Sequence, residues 1–136
     1  MEKYKFFEHT ADAKFQAYGK TLEEAFSNAA LAMFSVMTDI KKIKPKIKKE
    51  ISVEGIDQKQ LLYNFLEEFL FLMDTEFLLL SNVEKIKINA NKLTATAFFD
   101  KAENYETHGD VKAVTYQEME INQEKDKVMV QVVVDI

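Results

Sequence analysis

Residues 5–30 read KFFEHTADAKFQAYGKTLEEAFSNAA, and how this stretch divides decides the fold. Residues 3 to 8 and 13 to 18 have the aromatic content of two short strands, with Phe6, Phe7, Phe15 and Tyr18 as face or core residues. Gly19 ends the second strand. Thr21 and Glu24 then form a T-x-x-E capping box, which predicts a helix from Leu22. Leu22, Ala25, Phe26, Ala29, Met33 and Met37 follow at helical spacing. The bend between the strands holds His9 and Asp12, three residues apart, in a chain with only two histidines.

Outward from this start, Lys41, Lys42, Lys44, Lys46, Lys48 and Lys49 crowd residues 41–49, and Ile47, Ile51 and Val53 suggest an extended segment. Pro45 keeps the start of that segment at an edge or outside the sheet. Asp57, with Gln60 three residues on, signals a second helix, whose apolar face is Leu61, Leu62, Phe65, Leu66, Phe69 and Met73. Beyond Asp74 the period drops to two. Ile86 and Ile88 alternate with lysines, Asn91-Lys92 reads as a turn, and Leu93, Ala95, Ala97 and Phe99 continue one face. Residues 100–110 read as a loop, and 111–121 and 127–135 as two final strands. Val128, Val130, Val132 and Val134 share a face, and Val133 on the other face predicts a central strand covered on both sides. The order ββαβα followed by strands predicts an α+β fold. We expect a mostly antiparallel β-sheet sandwich with two packed helices, in one domain spanning 1–136.

The chain has 136 residues, of which 47% are hydrophobic and 30% charged, the balance of a globular protein able to bury a real core. Without cysteine there are no disulfides, thiolate metal sites or cysteine nucleophiles. No signal core opens the chain and no apolar run is long enough to span a bilayer, so a soluble cytoplasmic protein without a membrane partner is expected. A net charge of −5 argues against a surface that binds nucleic acid throughout. The three glycines are isolated, which rules out a glycine-rich phosphate loop. Ser27, Ser35, Ser52 and Ser81 lack a nucleophile-like context, so a self-contained enzyme is not expected.

Oxygen-ligand chemistry remains. Asp12 follows the first bend, Asp135 is penultimate, and Ile136 carries an α-carboxylate. If these carboxylates met, they would repel unless a hard cation such as Mg²⁺, Mn²⁺ or Ca²⁺ neutralised them. Sequence spacing does not bring Asp12 and Asp135 together, and from the pattern alone they read by default as a turn-capping aspartate and a solvated chain end. His9 also reads as a half-buried histidine bonded to backbone. The lysines read either as protection of an edge strand or as a contact for RNA or an acidic partner.

Four separated segments carry a family resemblance. FFEHTADAKFQAYGKTLEEAFSNAALAMFSVMTD (6–39), LLYNFLEEFLFLMD (61–74), GDVKAVTYQEMEI (109–121) and VVVDI (132–136) resemble, in order, the archease family. The chain departs from that pattern at Gln117, where histidine is common, at Phe65, where tryptophan is common, and at Ala13-Lys14, where Ile-Gly is usual. The resemblance implies an accessory protein for RtcB-type RNA ligases of tRNA splicing and repair, touching tRNA only through the ligase. Those ligases use GTP and Mn²⁺ and pass through a guanylylated histidine. The accessory protein promotes guanylylation and multiple turnover. The resemblance further implies a divalent cation (Ca, Mg or Mn) at Asp12, Asp135 and the Ile136 carboxylate, with His9 shaping the bend and Lys112 contacting ligase or phosphate. A monomer is expected. The alternatives are a small RNA-binding or chaperone module using Lys41–Lys49, and a metal-dependent phosphoesterase.

Overall fold

In a computed structural model describing residues 2–9 and 11–136, the opening stretch folds into a hairpin and a helix. Strand β1 is Tyr4–Phe7, β2 is Asp12–Gly19 and α1 is Leu22–Ser35. The capping box forms as read, since the Thr21 hydroxyl accepts from the Glu24 amide at 3.1 Å. Met37 lies beyond the last helical turn, although it is buried. Gly19 lets β2 meet α1 closely, because a Cβ there would stand 2.6 Å from the Ala25 nitrogen.

Strand β3 (Ile47–Glu54) precedes α2 (Gln58–Glu76), which is capped by Asp57 accepting from the Gln60 amide at 2.8 Å. Phe77, with a φ of 56°, ends α2 in a left-handed conformation. A hairpin follows, β4 (Leu78–Asn89) and β5 (Lys92–Lys101). Its turn falls at Ala90-Asn91, one residue before the predicted Asn91-Lys92, with Ala90 at φ 56°. Strands β3, β5 and β4 form one antiparallel sheet in that order, and β3 is an edge strand that places Lys48 and Lys49 on the sheet border.

The second sheet is built around β8 (Lys127–Asp135), which pairs antiparallel with β2 along one side. Its other side is shared by two short strands, β6 (Ala113–Val114) and β7 (Glu120–Glu124). The single strand predicted over 111–121 is therefore broken. Val114 and Glu120 are six residues apart, but their partners Val134 and Gln131 are only three apart, so the chain must loop out between β6 and β7.

Both helices pack against both sheets, so the core is a helical layer between two sheets. Phe69 of α2 centres it, with its ring 4.9 Å from Phe65, 5.9 Å from Phe99 of β5 and 6.3 Å from Phe34 of α1. Phe69 is fully buried. The inner face of β8 contributes Val128, Val130, Val132 and Val134 to the core. Val133 points the other way yet is 0% exposed, as expected for a central strand covered on both sides.

Replacing Phe69 with alanine removes three aromatic contacts at once. We predict a loss of about 3–5 kcal/mol in urea unfolding, the range for a large core truncation. A loss below about 1 kcal/mol would mean that the helical layer does not depend on this ring.

Candidate metal and contact site at the Asp12 and Asp135 strand ends

Strand β2 starts at Asp12, and β8 ends at Asp135. The antiparallel register sets these two residues directly opposite each other. Side chains of opposed residues share one sheet face, so both carboxylates lie on the outer face with Lys14, Gln16 and Tyr18. Like charges in directly opposed positions repel at short range. On its other side Asp135 faces Ala113, and its carbonyl accepts the Lys112 amide at 2.8 Å. Pairing on both sides holds the strand end in place, and Ile136 follows it, 46% exposed.

His9 closes the site from the bend. Its Nε2 lies 2.9 Å from Glu118 Oε2, and a carboxylate can only accept, so Nε2 carries the proton. Its Nδ1 is then turned toward Asp12, 3.5 Å from Oδ2, buried and, among the described residues, without a hydrogen-bond partner. His9 and Asp12 side chains are 17% and 21% exposed. The histidine is thus bound to a side chain and not, as the simplest reading has it, to backbone. Ala11 at the bend has a φ of 63°, while Thr10 lies outside the described residues.

Glu118 is the functional residue that sequence reasoning misses. It sits in the segment looped out between β6 and β7, with a φ of 52°. Its carboxylate also accepts from Lys14 Nζ at 3.0 Å. Hydrogen bonds from His9 and then Lys14, with the lysine charge, hold its pKa below the usual glutamate value. Its carbonyl ends a one-way chain of hydrogen bonds across the outer face. The Tyr18 hydroxyl donates to Gln16 at 2.8 Å, Gln16 to Gln131 at 2.9 Å, and Gln131 to the Glu118 carbonyl at 2.7 Å. Tyr116 anchors the same segment to α2 by stacking on Tyr63, rings 4.4 Å apart and 8° from parallel. Gln117 supplies only its amide, to the Thr115 hydroxyl.

The donor set suits a cation held from one side. The opposed Asp12 and Asp135 put two carboxylates on the outer face at the strand ends, with His9 Nδ1 3.5 Å from Asp12 Oδ2. Among the described residues Asp135 makes no ion pair, and no three His, Asp or Glu side chains cluster as a complete metal cage. Water or a partner's oxygens would have to complete the shell of any cation held there. Lys112 joins the site only through its backbone, and its side chain lines a separate hollow beside α2.

A single-domain α+β protein with its strand ends paired to bear carboxylates is the class that fold and site define. A sequence model of the Archease protein family matches residues 4–136. The chain is 43% identical over 141 residues to the protein archease of Methanothermobacter thermautotrophicus, covering 100% of both. It is 44% identical over 132 residues to that of Thermococcus kodakarensis, covering 93% of this chain and 92% of the other. The solution structure of Methanobacterium thermoautotrophicum protein 1598 matches with a TM-score of 0.84, at 39% identity over 100% of both chains. The crystal structure of an archease, described as a possible chaperone, from Thermotoga maritima matches in fold with a TM-score of 0.65, at 20% identity over 96% and 94%. The chain belongs to the archease family.

Stability from the Glu118 contacts is complete above a glutamate's ordinary pKa and is lost as the pH falls through Glu118's own lower value. Replacing Lys14 with methionine removes one of its two donors. We predict that the Glu118 carboxyl carbon, followed by NMR, then titrates closer to the ordinary value. An unmoved midpoint would show that Lys14 does not hold the carboxylate.

Proposed function

We propose that this chain is a non-enzymatic, cytoplasmic activator of an RtcB-type RNA ligase, acting through a divalent cation at Asp12, Asp135 and the Ile136 carboxylate. The chain belongs to the archease family, and service to these ligases is the role that the family resemblance implies. The observation that carries the site is the register of β2 against β8, which opposes two carboxylates more than a hundred residues apart in sequence. A bound cation would neutralise that pair and offer open positions to oxygens of the ligase or its nucleotide. The protein's own residues orient the donors. Pairing on both sides fixes Asp135, Glu118 sets the His9 tautomer, and Lys14 balances Glu118 and not the aspartates. The role is promotion of ligase guanylylation and multiple turnover in tRNA splicing, with RNA met only through the ligase.

The competing readings have less support. A phosphoesterase needs a base free to face substrate, and His9 Nε2 is committed to Glu118. An RNA-binding module would use Lys41–Lys49. Carboxylates meet the end of that stretch, with Lys49 bonded to Glu76 at 2.8 Å and Lys48 lying 3.9 Å from Glu50. This mixed charge suits protection of edge strand β3 better than a phosphate track.

Guanylylation of an RtcB-type ligase, followed with and without the protein, tests the proposal. Asp12→Ala is expected to abolish stimulation and weaken Mn²⁺ binding in calorimetry while leaving circular dichroism unchanged. A short extension after Ile136 is expected to do the same, because it moves the α-carboxylate and leaves every side chain in place. Full stimulation by the folded, extended protein would remove that carboxylate from the ligand set.

A further inference from the structure

Helix α2 carries one apolar side chain on its solvent face. Its inward stripe is Leu62, Phe65, Leu66, Phe69 and Leu70, all buried, yet Phe71 is 56% exposed. A helix facing water needs no aromatic there, and hydrophobic side chains left bare this way mark contact surfaces when other features converge on them.

Two features converge on Phe71. It stands as a ridge between two hollows, of about 330 Å³ and about 250 Å³, and lines both. Carboxylates surround it. Glu54 and Glu68 line the first hollow, Asp74 the second, and Glu67 both. Among the described residues none of these four makes an ion pair. Glu67 lies beside Tyr63, whose hydroxyl pKa it raises. An exposed ring between two hollows with unneutralised carboxylates is complementary to a cationic segment that brings its own apolar side chain. Among the residues lining the two hollows Lys112 is the one cation, and its backbone amide donates to the Asp135 carbonyl.

We infer that the Phe71 ridge of α2 is a docking surface for a lysine- or arginine-rich segment of a protein partner, whose aromatic or aliphatic side chain fills a hollow beside the ring. The inference stands apart from the identity of the partner and from the cation site. Attraction by the carboxylates speeds encounter and falls with salt, whereas contact with Phe71 sets how long the segment stays.

The chain has no tryptophan, so a short lysine peptide with one tryptophan reports binding by its own fluorescence. Amide NMR spectra of the labelled protein locate the peptide. The expected result is binding that weakens with salt, shifts clustered on α2 around Phe71, and about tenfold weaker affinity for Phe71→Ala. The double variant Glu67→Gln, Asp74→Gln keeps Phe71 and is expected to lose most of the salt dependence. The same peptide with glutamates for lysines is expected not to bind. Equal affinity for Phe71→Ala with an intact amide spectrum would overturn the inference, as would shifts confined to Asp12 and Asp135. So would self-association in ultracentrifugation that Phe71→Ala abolishes, since a second copy offering Lys41–Lys49 would then be the occupant.

Discussion

Everything at the candidate site depends on the hydrogen-bonding of one strand. β8 is used along both of its backbone edges, by β2 on one side and by β6 and β7 on the other. Its inner valines fill the core, while Val133 on its outer face is also fully buried. Such a strand has no free edge and little freedom to slip, because a one-residue slip would turn Val128, Val130, Val132 and Val134 outward. That fixed register is what holds Asp135 against Asp12.

Two partners on one side of β8 create a mismatch in length, and the mismatch becomes the site's third wall. The excess chain between Val114 and Glu120 has to leave the sheet. Tyr116 pins it to α2, and Glu118 turns it back over the outer face toward His9 and Lys14. The left-handed backbone at Glu118 is costly for a residue with a Cβ, and the bonds to its carbonyl and carboxylate offset that cost. The backbone irregularity and the electrostatics of the site are thus one feature.

Local signals in the sequence read through to the structure. Thr21 with Glu24 and Asp57 with Gln60 start helices at the expected residues, because a cap is a contact three positions long. Lys48 and Lys49 fall on an edge strand as one reading has it, while Lys41, Lys42, Lys44 and Lys46 precede it, and the α+β class follows from where the periods change. Non-local features do not read through. The break in 111–121 is set by what β8 offers as partners, and nothing in VKAVTYQEMEI states that count. Its one trace is the polar run Thr115–Glu118 between Val114 and Met119, a lapse in strand alternation. Asp12 and Asp135 could be matched from sequence only through family resemblance, since no periodicity spans the distance between them.

The two sheets differ in how much chain they enclose. The sheet of β3, β5 and β4, with α2, is assembled within residues 47–101. The other sheet joins β2 to β8, and the Gln16–Gln131 bond inside it closes a separation of 115 residues. Closing a loop of that size costs entropy before any contact repays it, and such pairings form slowly. Folding is therefore asymmetric. The β3–β5–β4 half can organise from neighbouring segments, and the carboxylate end matures only when distant parts of the chain meet. Until then the opposed aspartates do not exist as a pair, so a cation that favours the pair would also favour the completed sheet.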